Sequence, residues 1–350
     1  MKGLVKEKEG YGNMNYRLVD NPEVSGDLVK IKVAYTGICG SDIHTYKWEY
    51  KNSKTPVTLG HEFSGIVSEV GPKVTKLKVG DRVTSETTFT TCGTCQYCLS
   101  KDYNLCSNRL GIGTQANGSM TDYVLTREES CHVLPENVSY KEAALTEPLA
   151  CCVHAALEKT TISENDVVLV IGPGPIGLLL AQVAKAQGAT VALAGITKDK
   201  HRLDLGIQLG IDYIVDIQES DLAEFTSKFN DGEGMNLVFD CSGVIHAVNQ
   251  ALPLIVKKGQ MIQVGLFAKK MNEMDQESII QREVEYIGSR SQKPSSWGKS
   301  LKLLSDKKID AEKMITKVYP LNEWETAFNA VMSGNEIKVL LESNLDWNKE

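Results

Sequence analysis

Val167-Val168-Leu169-Val170-Ile171 runs directly into Gly172-Pro173-Gly174-Pro175-Ile176-Gly177, an unbroken apolar pentad followed at once by glycines at the spacing GxGxxG. An apolar run without polar alternation fits a strand buried on both faces of a parallel sheet. Residues 178–187 continue with helical character, and 191–194 read as a second short strand. Between a strand and a helix, such glycines permit a tight turn and let backbone N–H groups approach a pyrophosphate at the positive helix end. Gly-rich turns are common elsewhere, but this setting identifies Gly172, Gly174, Pro175, Ile176 and Gly177 as a dinucleotide-binding loop. Further strands are expected at 212–216, 236–240, 260–265 and 284–289, alternating with helical stretches. Six strands with five crossovers make a doubly wound α/β sheet.

Upstream of this unit the texture differs. Residues 1 to about 145 hold short β-like runs broken by Gly and Pro, which suggests a compact β barrel. Residues 28–35 read as one strand, with Val29, Ile31 and Val33 on one face and Lys30 and Lys32 on the other. Thr146-Glu147-Pro148 has a Thr able to cap, an acid and an early Pro, and marks a helix start that divides the chain. After the sixth sheet strand, a helix around 297–304, an extended 315–319, a helix over 321–332 and a strand at 337–341 are expected to return to the first domain. The expected division is 1–146, 147–289 and 290–350, the last segment completing the barrel, with a cysteine lobe at about 90–108. A length of 350 residues suits two domains.

The 38 Lys+Arg and 45 Asp+Glu leave a formal charge of −7 with no long block of one sign, which argues against a nucleic-acid partner. The first residues lack the apolar centre of a signal peptide, and no apolar run approaches a membrane span, so a cytoplasmic protein is expected. Nine cysteines, an odd number, fit a reducing compartment better than a disulfide framework. Cys92, Cys95, Cys98 and Cys106 crowd together, and their two-residue spacers curl the backbone so that four thiolates can surround one ion. Redox pairs share the CxxC spacing, yet three cysteines in step with a fourth beyond suit a closed structural zinc site.

A second set has a different composition. Cys39, His61 and Glu62 offer a thiolate, an imidazole and a carboxylate, close in sequence to Ser41 and His44, which can move protons. Mixed ligands beside proton carriers suit a catalytic metal, with zinc the first choice, that keeps an open position. The plainer reading is a buried thiol and a hydrogen-bonded core imidazole.

In order, a Cys-Gly-x-Asp-x-His turn, Gly60-His61-Glu62 with Gly65, the four-cysteine lobe, the Glu147-Pro148 helix and GxGxxG resemble the zinc-containing medium-chain dehydrogenases over essentially the whole chain. The branch of greatest similarity is that of sorbitol (L-iditol) and threonine dehydrogenases. The resemblance implies a GroES-like catalytic domain joined to a Rossmann domain, two zinc ions per chain and a homotetramer. It implies that Cys39 and His61 ligate the catalytic zinc, with Glu62 a direct or exchangeable third ligand and Glu147 the partner of the water zinc holds. Alcohol dehydrogenase carries its second cysteine ligand at the position of Glu147, and a carboxylate there hardens the site, which suits vicinal diols. Asp42 is implied to orient His61. Ser41 and His44 are implied to carry the proton to bulk water. Cys151 and Cys152, and the histidines at 132, 154, 201 and 246, are read as packing or surface residues.

The implied activity is hydride transfer between a secondary alcohol or polyol and a nicotinamide cofactor. Sorbitol dehydrogenases carry an aromatic-Arg-Tyr run where this chain has Arg290-Ser291-Gln292, which puts sorbitol itself in doubt and leaves the polyol open. The alternatives are oxidation of a β-hydroxy amino acid such as threonine, with Arg290 as carboxylate partner, and a catalytically silent structural or regulatory protein on the same fold. For the cofactor, NAD-binding sheets place an acid at the end of the second strand, where this chain has Gly195. Thr197, Lys198 and Arg202 follow and can meet a 2′-phosphate, which favours NADP over NAD. The rival reading is that Asp199 reaches the ribose and the cations are a solvated helix start.

Overall fold

In the computed structural model, which describes residues 1–49, 51 and 53–343, Val167–Ile171 is an interior strand of a six-stranded, all-parallel sheet. The strand order is Tyr213–Asp216, Thr190–Gly195, Val167–Ile171, Met235–Asp240, Ile255–Gln263 and Glu285–Gly288. All five residues of Val167–Ile171 are buried, which explains the absence of polar alternation. Sequence order reverses across this strand, since its neighbours are the second and fourth strands of the sheet. The crevice beyond the strand ends at such a reversal is where ligands bind in open α/β sheets. Leu169, Ala192, Val238 and Met261 lie in the core built on this sheet.

The unit holding this sheet comprises Pro148–Gln292 and Asp306–Asp310. The other comprises Met1–Glu147, Lys293–Ser305 and the chain from Ala311 on. The return of the C-terminal segment is therefore interrupted: Asp306–Asp310 stays with the dinucleotide unit, where the Asp310 N–H donates to Gln182 Oε1 at 2.7 Å.

In the N-terminal unit the long strand Leu28–Gly37 pairs antiparallel with Glu62–Val70, Tyr123–Arg127 and Lys338–Glu342. Tyr123–Arg127 covers its first half and Lys338–Glu342 its end. Lys30 and Lys32, opposite the apolar face, are buried too, with Lys30 paired to Glu69 at 2.5 Å and set over the Tyr123 ring. Gly37 lies opposite Glu62 in the register, so the strand end and the second ligand segment meet by construction. Thr146 differs from expectation: it is the first residue of the helix Thr146–Leu157 rather than its cap, and its Oγ1 is buried without a hydrogen bond. Among the described residues no helix is long and apolar enough to cross a membrane.

Candidate active site

The segment after Gly37 is a helix N-terminus rather than a simple turn. Cys39 is the N-cap of Gly40–Lys47, with extended backbone (φ −89°, ψ 155°). Three residues on, Asp42 turns its carboxylate back to accept the Cys39 N–H at 2.9 Å. This closes one of the donors a helix start leaves open, and it fixes the backbone that presents the thiol. The second segment enters through Gly60, whose φ of +95° is open to glycine, and a side chain there would press on the Met120 backbone at 2.8 Å.

Together these segments bring one donor atom each of Cys39, His61 and Glu62 within 4.8 Å of one another. Sulfur, imidazole nitrogen and carboxylate oxygen form a donor set suited to zinc. The electrostatics agree. His61 Nδ1 is buried without a hydrogen bond, and its neighbour Asp42 Oδ1 is 3.8 Å away. Burial opposes charge on His61, but Asp42, Cys39 and Glu147 outweigh it and hold the imidazole pKa well above its usual value. A pocket of thiol and carboxylates thus retains a proton where a divalent cation would serve better. Burial likewise raises the Asp42 carboxyl, while His61 and the Cys39 N–H pull it down.

Glu147 is buried near this cluster but outside the group of three. Its charge acts on His61 and on Lys338. Ser41 Oγ lies 3.5 Å from His61 Nε2. His44, on the same helix, is exposed and its Nδ1 meets Glu49 at 2.7 Å. Sequence reasoning missed Lys338. It is fully buried, ion-paired with Glu62, and donates to the Ile38 carbonyl at 3.2 Å. Burial disfavours its charge, but Glu62, Cys39 and Glu147 prevail and raise its pKa. The available signal was a lysine within the expected strand 337–341, whose other residues are all apolar.

Cys92, Cys95, Cys98 and Cys106 form the second group, also within 4.8 Å. Sulfur separations are 3.8 Å for Cys92 to Cys98, 3.5 Å for Cys95 to Cys98 and 3.7 Å for Cys106 to Cys92. Backbone N–H groups of Thr94 and Cys95 aim at Cys92 and lower its pKa to about 6, favouring the thiolate that binds metal. Cys152 donates instead to the Ile176 carbonyl at 3.4 Å, and His132 meets Glu86 at 3.0 Å while stacking on Trp297. His201 and His246 are exposed.

In the dinucleotide unit the three glycines have separate tasks. Gly172 has φ +95° and makes the tight turn. A Cβ on Gly177 would collide with the Gly172 carbonyl, so the helix Pro175–Ala186 packs on the strand only with glycine there. Gly174 faces open space, and its missing side chain leaves the helix start approachable by a phosphate. Pro175 is the first helical residue, and Ile176 follows it. Gly195 is packed: a Cβ would stand 2.8 Å from Pro173 Cγ and 3.2 Å from Leu203 Cδ2. A side chain at 195 would therefore have to displace the Pro173 ring. Ile196 N–H faces Asp199 Oδ2 at 3.4 Å, Thr197 N–H donates to Gln218 Oε1 at 3.1 Å, Lys198 is exposed and Arg202 half-buried. Arg290 is exposed in the same unit.

Residues 25–136 match the family model described as alcohol dehydrogenase GroES-like domain, and residues 175–306 match that described as zinc-binding dehydrogenase. The chain is 60% identical over 344 residues to D-arabitol-phosphate dehydrogenase of Enterococcus avium, covering 98% of each. It is 51% identical to sorbitol dehydrogenase of Halalkalibacterium halodurans, over 97% of this chain and 99% of the relative. A zinc-binding dehydrogenase structure from Sinorhizobium meliloti 1021, bound to NADP, superposes with TM-score 0.90 at 31% identity, over 97% and 98% of the two chains. A structure from Escherichia coli CFT073 described as a short chain alcohol dehydrogenase, complexed with NADH, superposes with TM-score 0.89 at 27% identity, over 98% of this chain and 99% of that one.

Proposed function

Since the chain belongs to the zinc-binding dehydrogenase family, it is an oxidoreductase that moves a hydride between a secondary alcohol of a polyol and a nicotinamide cofactor, and we propose that this polyol carries a phosphate. The observation that carries the chemistry is the convergence of Cys39, His61 and Glu62 beside Ser41. The substrate reading is supported by the 60% identity to a protein named for arabitol phosphate, against 51% to one named for sorbitol.

When bound, zinc supplies polarisation of the alcohol oxygen and the oxidised nicotinamide accepts the hydride. Cys39 and His61 would hold the metal, with Glu147 the buried acid beside a water or substrate oxygen. Ser41, next to His61, takes the proton from the alcohol. His44 lies three residues further along the helix, on the same face, and passes the proton to solvent. With Nδ1–H donated to Glu49, its Nε2 keeps the lone pair that accepts the proton. Asp42 holds the Cys39 backbone and adds negative charge beside His61.

For the cofactor we favour NADP. The support is that the second strand ends in Gly195, with no carboxylate, that the Asp199 carboxylate is turned toward the Ile196 N–H, and that Lys198 is exposed beside Thr197. The reading includes a cytoplasmic homo-oligomer, which light scattering checks for assembly. Steady-state rates on D-arabitol phosphate, D-arabitol, sorbitol and L-threonine test the substrate. The expected result is a kcat/KM at least about tenfold higher for the phosphate ester, or about 1.4 kcal/mol. Equal use of the free polyol would sink the phosphate proposal, and preference for threonine the polyol one.

A further inference from the structure

Asp240 ends the strand Met235–Asp240 and is wholly buried, yet among the described residues no cation pairs with it. Neutral donors hold its charge instead. Oδ1 accepts the Ser242 N–H at 3.0 Å and the Ser242 hydroxyl at 2.6 Å, while Oδ2 accepts the Gly243 N–H at 3.1 Å and the side-chain amide of Gln263. Gln263 stands directly opposite on the next strand, and the same amide nitrogen donates to the Gly265 carbonyl at 2.7 Å. Its Oε1 accepts the Tyr286 hydroxyl of the edge strand at 2.7 Å. Burial, with the charge of Asp240 adding to it, pushes the Tyr286 phenol up to about 12, so that it stays a donor. Both ends of the Gln263 amide are thereby assigned, and a hydrogen-bonded chain from Tyr286 through Gln263 to Asp240 crosses three strands.

This chain anchors two loops that lie backbone to backbone. A Cβ on Gly243 would collide with the Leu266 carbonyl, and one on Gly265 with the Gly243 nitrogen. On its other side the first loop abuts the glycine motif, where a Cβ on Gly172 would stand 2.9 Å from the Ser242 nitrogen. Both loops follow the carboxyl ends of strands in the second half of the sheet. In sheets of this kind the acid that meets the adenosine ribose ends the second strand, which places adenosine over the first half and the other mononucleotide over the second. We propose that Tyr286, Gln263 and Asp240 are positioning residues that fix these two loops as the seat of the nicotinamide mononucleotide. An ionised carboxylate suits the task because it only accepts and has about four lone-pair sites, enough to gather donors from both loops. The proposal rests on the nicotinamide-cofactor reading.

Calorimetric titration of the full-length chain tests this with two kinds of probe: intact NAD and NADP, and their adenosine halves, AMP and adenosine 2′,5′-bisphosphate. Gln263→Met removes the bridge with a side chain of similar size. It is expected to weaken the preferred intact cofactor about tenfold or more, the scale of a lost hydrogen bond to a charged group, and to leave the matching adenosine half bound as in the wild type. Tyr286→Phe, which spares every bond to Asp240, is expected to move the ratio of the two affinities the same way by less. A folded Gln263→Met with unchanged affinity for the intact cofactor would overturn the proposal. So would an equal loss for the intact cofactor and its adenosine half, which a merely structural role predicts. If Gln263→Met does not fold, an unchanged ratio in Tyr286→Phe overturns it in the same way. A wild-type chain that binds neither intact cofactor would overturn the cofactor reading itself.

Discussion

Gly195 and Gly174 both border the cofactor loop, and replacing each by alanine should have opposite consequences. At Gly195 the new methyl would meet Pro173 at 2.8 and 3.0 Å and Leu203 at 3.2 Å. A proline ring offers no flexible end to swing aside, so the strand end or the loop must move. Overpacking of this kind costs about 1–3 kcal/mol. For a unit of roughly 150 residues such a loss lowers Tm by roughly 2–12 °C. At Gly174, φ is −73° and nothing lies within 4 Å of the added carbon, so stability should not change. The methyl would instead occupy the approach to the helix start. Losing one hydrogen bond to a charged phosphate costs about 1.5–3 kcal/mol, so cofactor binding should weaken roughly 10- to 100-fold. Thermal melts without cofactor, and cofactor titration by fluorescence, separate the two. Gly195→Ala melting with the wild type, or Gly174→Ala binding cofactor normally, would refute the assignment of packing to one glycine and access to the other.

The two metal centres should separate in the same way: Cys39→Ala abolishes turnover with modest loss of stability, Cys98→Ala chiefly destabilises, and elemental analysis finds two zinc ions per chain, with one or none contradicting the scheme. For the cofactor, Lys198→Glu should cut the NADP-to-NAD ratio of kcat/KM about tenfold or more, equivalent to about 1.4 kcal/mol, and an unchanged ratio would remove Lys198 from the site. Glu128 accepts backbone N–H bonds from Thr75, Lys76 and Leu77, and these, the Lys76 bond above all, hold its pKa below the usual carboxylate value. Because the folded pKa is depressed, its stabilisation is complete above the unfolded value of about 4.3 and is lost as pH falls through the lower folded value. Urea titrations should therefore show a gap between wild type and Glu128→Gln at pH 7 that narrows toward pH 3, and a gap independent of pH would exclude the clamp.

What could be read from the sequence was whatever depends on near neighbours along the chain. The run Val167–Ile171 announces a strand covered on both faces, and the cysteine spacings announce a closed lobe, because each pattern is complete within a few residues. Ser41, Asp42 and His44 were legible as a group, although their setting is a helix start rather than a turn. Lys338 was not legible, since its partners depend on which strand lies beside Leu28–Gly37 and in what register. Gly195 shows a subtler limit. From sequence it is a missing carboxylate; in three dimensions it is a contact with Pro173. Thr146 has the composition of a cap but lies one position inside the helix.

The late arrival of Lys338 also orders the protein's birth on the ribosome. Ile38 and Lys338 are 300 residues apart in the chain. At about 5–20 residues per second, roughly 15–60 s pass between synthesis of the two. Throughout that interval the nascent chain carries Cys39, His61 and Glu62 without the ammonium that balances them and without the strand Lys338–Glu342. The dinucleotide unit, nearly continuous in sequence, has all but five of its residues by Gln292 and can fold while the catalytic unit waits. Translation stalled before Lys338 therefore leaves a chain that holds nearly all of the dinucleotide unit but lacks the ammonium that pairs with Glu62.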